Sequence, residues 1–224
     1  GLDPDTAQPA SRLWHNRFPE HPLAVLSGPN LATEVRLGLP TATVVASCQL
    51  EAAQAIQRCF ACERFRVYTS TDWLGVELGG VLKNVMAIAA GVSDALGLGN
   101  NAKAALITRG LAEMIRVGTH WGAQAETFFG LSGIGDLLAT CNSSLSRNYQ
   151  VGSGLGSGRS LSSILDTLEG TAEGVRTAFI LAEYAHKSGL EVPITDQICA
   201  VLRAERSPLA ALMALMNRRL REES

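Results

Sequence analysis

The sequence predicts a mainly α protein with a small α/β portion at its N-terminal end. Three observations predict it. Short apolar or β-branched runs bounded by turn residues fall only before residue 71: LAVLS at 23–27, TATVVAS at 41–47 and FRVYT at 65–69. From Trp73 onward the apolar residues recur at three- and four-residue spacing, and no strand pattern returns. Pro193 and Pro208 stand where helices would begin, as proline at a first helical position does. The expected division is 1–70, α/β, and 71–224, helical.

In chain order, residues 1–22 are irregular apart from a helix near 10–16. The run at 23–27 is a buried strand that ends in Ser27-Gly28-Pro29-Asn30, ahead of a helix at 31–37. A strand that ends at a glycine turn and a helix N-terminus is a place where small molecules bind in α/β folds, and also an ordinary turn. Gly38-Leu39-Pro40 breaks the chain before the strand at 41–47. A helix at 49–59 and the strand at 65–69 complete the α/β portion.

After Thr71-Asp72, a plausible N-cap, one long apolar helix is expected at 73–101. Leu74, Leu78, Leu82, Val85 and Ala89 make one face; Val76, Val81, Met86 and Ile88 make its neighbours apolar too. Between Trp73 and Ser93 the charged residues are Glu77 and Lys83. Burial disfavours the charged form of an ammonium, and a lysine so placed can serve as proton donor or acceptor. The competing reading is a side chain that runs along apolar surface and puts its charge in water.

A second long helix spans 100–120, with Arg109 and Glu113 expected to pair four residues apart. A short helical piece at 124–129 precedes Leu131-Ser132-Gly133-Ile134-Gly135-Asp136, two glycines before an acid that starts a helix. The run 141–148, CNSSLSRN, is a polar loop before the next helix. Hydroxyls and an arginine at a helix start suit an anion, and they also suit simple capping. GSGLGSG at 152–158 is not preceded by a strand, so it is no nucleotide fingerprint, and a flexible helix end is expected there. Helices follow at 160–168, 171–188, 193–204 and from 208.

Composition narrows the classes. Of 224 residues, 46% are hydrophobic and 18% charged, and the net charge is −2, which gives no positive field for nucleic acid or anionic membrane. The basic run at 217–221 is expected to be a solvated helix end. No apolar run is expected to reach membrane-spanning length, and no signal peptide is visible. The five cysteines include one C-x-x-C pair, Cys59 and Cys62, without a second pair or a suitably spaced histidine, so they are expected to be two small helix residues rather than a zinc site. The pattern suits a reducing, cytoplasmic setting.

Several segments together carry a resemblance: GPNLATEVRLGLPTA, FRVYTSTDWLGVELGGVLKNVMAIAAGVSDALGLGNNAKAALITRGLAEM, GLSGIGDLLATCNSSLSRN, and the stretch from EGVRTA to VPITDQI. In order and spacing, from about residue 23 onward, the chain resembles bacterial NAD(P)-dependent glycerol-3-phosphate dehydrogenase. ELGGVLKN and GDLLATC-x₅-RN are its specific signals. The resemblance implies a helical substrate domain like the C-terminal domain of 6-phosphogluconate dehydrogenase, preceded by a remnant of an α/β Rossmann domain. It implies that Lys83 is the catalytic proton acceptor, and that Gly28, Asn30, Lys83, Asp136, Ser146, Arg147 and Asn148 contact the substrate. It places Ala32, Arg147, Thr171 and Glu173 at the cofactor, NAD or NADP. Asn30 stands where the family often has threonine, and Thr171 where it commonly has an aliphatic residue.

The implied reaction is reversible hydride transfer between NAD(P)H and dihydroxyacetone phosphate, giving sn-glycerol 3-phosphate for glycerophospholipid synthesis, in a cytoplasmic homodimer. The family's opening strand and glycine-rich fingerprint have no counterpart in this sequence, which starts at the glycine of the family's Lys-Gly-Leu segment. The polypeptide alone is therefore expected to be inactive. Its alternative reading is a non-catalytic helical substrate-binding or dimerisation module, and a third is a ketopantoate-type reductase on a similar helical domain.

Overall fold

A computed structural model of the chain describes residues 1–217. The basic run read from 217 to 221 lies, beyond Asn217, outside the described residues. The α/β portion comprises α1 (Ala10–Arg17), β1 (Val25–Ser27), α2 (Ala32–Arg36), β2 (Thr41–Ala46), α3 (Leu50–Phe60) and β3 (Phe65–Ser70). The sheet order is β1-β2-β3, with β1 antiparallel and β3 parallel to β2. Val45 and Val67 pack with Ala53 and Ile56 of α3 into a small core of their own. Ser27 sits opposite Val44, so the turn at Gly28 leaves the sheet beside the middle of β2.

The remainder is helical: α4 (Trp73–Ala95), α5 (Gly99–His120), a 3-10 turn (Ala125–Phe129), a π-helical turn (Leu131–Gly135) and α6 (Asp136–Cys141). Then come α7 (Arg147–Gly156), α8 (Leu161–Thr167), α9 (Glu173–Ser188), α10 (Pro193–Leu202) and α11 (Pro208–Met216). Helix α4 is the axis of this body, and α5, α6, α7 and α9 pack around it. Leu78, Val81, Leu82, Val85, Met86 and Ile88 are all buried, so most sides of its middle are packed. By length and composition α4 could cross a membrane, against the expectation from the apolar runs. Yet 78% of its most apolar window is buried by the protein itself, which marks a core helix.

Asp72 caps α4 and fastens it. Its Oδ1 accepts from the Gly75 N–H at 2.9 Å, and its Oδ2 accepts from the Gln124 N–H at 3.0 Å and the Thr127 hydroxyl at 2.6 Å. The helix read as 73–101 stops at Ala95. Gly97 and Gly99 adopt φ of +66° and +81°, a left-handed geometry that only glycine takes without strain, and a new helix starts at Gly99.

The glycines at 152–158 are not a flexible end. Gly152 and Gly156 lie within α7, against α4. A Cβ on Gly152 would overlap the Ile88 carbonyl oxygen, and one on Gly156 would stand 2.7 Å from the Ala95 Cβ. The same holds from the other side, where a Cβ on Gly91 would overlap the Tyr149 carbonyl oxygen. Asn148 faces Asn84, Gly152 faces Ile88, and Gly156 faces Val92, so the two helices run parallel in a four-residue register. Small residues four apart let two helix backbones touch, with C–H···O contacts between them.

Arg109 and Glu113 do not pair. Glu113 is buried, and its carboxylate accepts from the backbone N–H of Ile194 at 2.8 Å and of Thr195 at 3.0 Å, and from the Thr195 hydroxyl at 2.7 Å. It satisfies the first turn of α10, whose N–H groups have no partner within the helix. Burial pushes its pKa up, while these donors pull it down. Glu113→Gln keeps the shape but turns an amide N–H₂ toward N–H donors. It is expected to cost about 1–3 kcal/mol at neutral pH, read as a lower urea midpoint with unchanged m.

Cys62 also differs from expectation: Cys59 is helical, but Cys62 lies beyond α3 and bridges to Phe65. Both thiols lie at the C-terminal end of α3 and are exposed. Among the described residues no three His, Cys, Asp or Glu side chains gather as a metal site.

Candidate active site

Lys83 lies midway along α4, its side chain 16% exposed, and forms an ion pair with Asp136, whose side chain is 3% exposed. Asp136 is the first residue of α6, and the Thr140 hydroxyl donates to the same carboxylate oxygen at 3.3 Å. Burial holds the Asp136 pKa above the ordinary carboxylate range, against the pull of the Lys83 charge. The Lys83 side chain is mostly buried but not sealed from water.

Two glycines explain why the chain approaches this lysine so closely. Gly79 and Gly80 stand one turn before it. A Cβ on Gly79 would overlap the Ser132 carbonyl oxygen of the π-helical turn, and one on Gly80 would press on Ser27 Oγ. The absence of side chains there admits the turn that delivers Asp136 on one side and the end of β1 on the other. Gly135 in turn faces Pro29. Gly28, Pro29 and Asn30 are thereby gathered beside Lys83 and Asp136.

The start of α7 forms the next wall. Ser146 is its N-cap, with Oγ accepting from the Tyr149 N–H at 3.3 Å, which leaves its hydroxyl proton free to donate. Asn148 is buried. Its Nδ2 donates to Asn84 Oδ1 at 2.9 Å, and its Oδ1 accepts from the Gly174 N–H at 2.9 Å. This side chain ties α7 to α4 and to the first turn of α9. Gly174 is needed there, since a Cβ would come within 2.6 Å of the Asn84 carbonyl oxygen. Arg147 is exposed, with its guanidinium against Gly170. The N-termini of α7 and α9 therefore meet beside an arginine and a free hydroxyl, a setting that attracts an anion.

The site residues read from sequence thus fall into two groups. Lys83 and Asp136 form a pair, Asn148 at the start of α7 with Ser146 and Arg147 is tied to Asn84 beside that lysine, and Gly28 and Asn30 follow Ser27, which packs on Gly80. Thr171 and Glu173 are exposed at the start of α9, next to Gly170 and the Arg147 guanidinium. Ala32 stands exposed at the start of α2, two residues beyond Asn30. Arg147, Thr171 and Glu173 suit one end of a dinucleotide, with a planar fork for phosphate or amide and a carboxylate for hydroxyls or amides. Among the described residues no strand is followed by a three-glycine turn to cradle a pyrophosphate. Sequence reasoning missed Asn84, Thr140 and the paired Gly79-Gly80 as parts of the site. An asparagine next to a lysine on an otherwise apolar helix was the available signal. Two surface hollows, one lined by Gln57, Cys62 and Arg66 and the other by His186, Asp196 and Arg203, share no residue with this site.

Comparison with known proteins points to one family. Residues 72–213 match the family model of the NAD-dependent glycerol-3-phosphate dehydrogenase C-terminus, and residues 1–53 match that of its N-terminus. The chain is 76% identical over 223 residues to a glycerol-3-phosphate dehydrogenase [NAD(P)+] of Gloeobacter violaceus, covering 100% of this chain and 73% of that protein. It is 60% identical over 223 residues to one from a Synechococcus species, covering 72% of it. Among solved structures, a glycerol-3-phosphate dehydrogenase from Coxiella burnetii superposes with a TM-score of 0.89 at 40% identity. That match covers 92% of this chain and 64% of the other.

Proposed function

This chain belongs to the NAD-dependent glycerol-3-phosphate dehydrogenase family, oxidoreductases that use NAD or NADP, and on that premise we propose how its residues serve the reaction. The reaction is the reversible interconversion of sn-glycerol 3-phosphate and dihydroxyacetone phosphate. Lys83 handles the proton at the C2 oxygen. In the reducing direction its ammonium donates to the carbonyl oxygen of dihydroxyacetone phosphate as C2 receives hydride. In the oxidising direction the neutral amine takes the proton of the C2 hydroxyl as C2 loses hydride. NAD or NADP, when bound, supplies the hydride donor or acceptor.

The observation that carries this reading is the Lys83–Asp136 pair, its lysine midway along a mostly apolar helix. The pair sets the Lys83 nitrogen against a carboxylate, and the side chain is partly exposed, which lets a proton exchange with water. Asp136 orients the ammonium and is itself held by Thr140. The phosphate fits the start of α7, where the Ser146 hydroxyl and the Arg147 guanidinium donate. Asn148 is fixed by α4 and α9, and Gly28 and Asn30 close the opposite side. Ala32, Arg147, Thr171 and Glu173 would hold the dinucleotide. Supply of sn-glycerol 3-phosphate for glycerophospholipids, a cytoplasmic location and a homodimer belong to the same proposal. Their support is the family relationship.

The test is turnover by the full-length protein. NADH or NADPH oxidation is expected with dihydroxyacetone phosphate and not with ketopantoate, another small carbonyl acid derivative. Equal or reversed rates would overturn the reading.

A further inference from the structure

We propose that Thr43 is a positioning residue that fixes which end of the Asn30 amide faces the substrate; this rests on the site reading above. Thr43 lies in the middle of β2 and is fully buried. Its hydroxyl makes two hydrogen bonds. The Oγ1–H donates to the Ser27 carbonyl oxygen at 2.9 Å, and Oγ1 accepts from Asn30 Nδ2 at 3.4 Å.

A threonine hydroxyl has one proton. The Ser27 carbonyl oxygen can only accept, so it takes that proton. Toward Asn30 the hydroxyl then offers only lone pairs, and the amide must present its nitrogen. The Asn30 carbonyl oxygen is turned the other way, available as an acceptor for a substrate hydroxyl. An asparagine free to flip would present either end, and half of its orientations would meet that hydroxyl with the wrong group.

The same hydroxyl holds the turn itself. Gly28, at φ +149°, lies so close that a Cβ there would stand 3.0 Å from both the Cα and the Oγ1 of Thr43. Ser27, whose carbonyl Thr43 engages, packs by its own hydroxyl against Gly80, one turn before Lys83. Thr43 therefore joins the sheet to the turn that carries Gly28 and Asn30, and this turn to the helix that carries the lysine. Its effect on the site is proposed to pass through this turn, chiefly through the Asn30 amide that it orients.

The experiment compares Thr43→Val, which keeps the shape without the hydroxyl, with Thr43→Ser, which keeps the hydroxyl, in the full-length enzyme. Thr43→Val is expected to raise KM for sn-glycerol 3-phosphate and dihydroxyacetone phosphate about tenfold, with kcat within about threefold, as the loss of one oriented hydrogen bond would. Thr43→Ser is expected to stay within about threefold of wild type in both. In the Asn30→Ala background, Thr43→Val is expected to add no further rise in KM. Asn30→Asp removes the N–H that faces Thr43, avoids the buried strand, and is expected to raise KM as far as Asn30→Ala does. The inference is overturned by wild-type KM in Thr43→Val or Asn30→Asp, by equal damage in Thr43→Ser and Thr43→Val, or by additivity with Asn30→Ala. A Lys83→Ala enzyme run alongside separates the two readings. Wild-type turnover there overturns the site assignment itself, whereas an inactive Lys83→Ala with wild-type KM in Thr43→Val overturns only the role of Thr43.

Discussion

Lys83→Ala is expected to lower kcat at least about 100-fold in the full-length enzyme, with a much smaller change in KM. General acid–base groups contribute roughly 10²–10⁴-fold, and among the described residues no second ammonium is paired to Asp136 to replace this one. The substitution removes the proton donor and leaves a cavity beside a buried carboxyl group. A small primary amine added to the assay should enter that space and restore part of the rate, because it brings back a protonated nitrogen near Asp136. The variant should also change how stability varies with pH. Burial already holds the Asp136 pKa above its unfolded value, and Lys83 is the charge that pulls it down. Removing Lys83 raises it further. A carboxyl group with a raised folded pKa binds protons more tightly when folded, so its favourable contribution is present at low pH and is lost as pH rises through the folded pKa. The melting-temperature gap between wild type and Lys83→Ala should therefore widen as pH rises from the ordinary carboxylate range toward neutrality. Calorimetric scans at acid and neutral pH read this directly. A gap that is flat across that range, together with undiminished kcat, would remove Lys83 from the mechanism.

Lys83 could be noticed in the sequence because a charge within an apolar helical run is a local contradiction, yet the pattern alone suited a side chain with its charge in water, and only the resemblance implied a proton acceptor. The strands were legible for a similar reason: β-branched runs between turn residues bury one face wherever the chain puts them. The Asp136 carboxyl could be seen as an acid at a helix start, yet nothing in its spacing says that it meets a lysine 53 residues earlier. That meeting depends on Gly79 and Gly80, whose missing side chains admit two other segments. Missing side chains leave no trace in a hydrophobic pattern. The same blindness explains Gly152 and Gly156, which local composition marks as flexible and which packing holds rigid. Glu113 was paired with Arg109 by the four-residue rule, although it falls on the stripe of Gly110, Met114 and Val117 that faces the core. A carboxylate on a buried stripe asks for donors from another element, and α10 supplies them. Thr43 is the limiting case: as a threonine in a β-branched strand it is locally unremarked, and only the geometry of its one proton gives it a role.

Gly152→Ala should destabilise the helical body, with a loss of about 2 kcal/mol. The methyl group would overlap the Ile88 carbonyl oxygen and lie within 3.0 Å of the Val92 N–H nitrogen, and both are backbone atoms of α4 that no rotamer change can move. Overpacking of this kind costs about 1–3 kcal/mol, and the better helix propensity of alanine returns at most about 1. For a chain of this length that loss lowers the melting temperature by roughly 4–8 °C. Gly154→Ala is the control, since its methyl would meet the side chain of Ile164 at 2.7 Å, and a side chain can rotate aside. Its loss should be clearly smaller. The two variants should differ in activity even more than in stability. Helix α7 lies parallel to α4 in a register that places Asn148 against Asn84, one residue from Lys83, so the contact at Gly152 sets the distance between the start of α7 and the lysine. Pushing α7 outward by about 1 Å can cost roughly 10²-fold in rate even though every functional side chain remains. Gly152→Ala should therefore lose much of its kcat/KM at temperatures where it is still fully folded, while Gly154→Ala retains most of it. Equal stability and equal activity in the two variants would mean that the close crossing of α4 and α7 does not position the site.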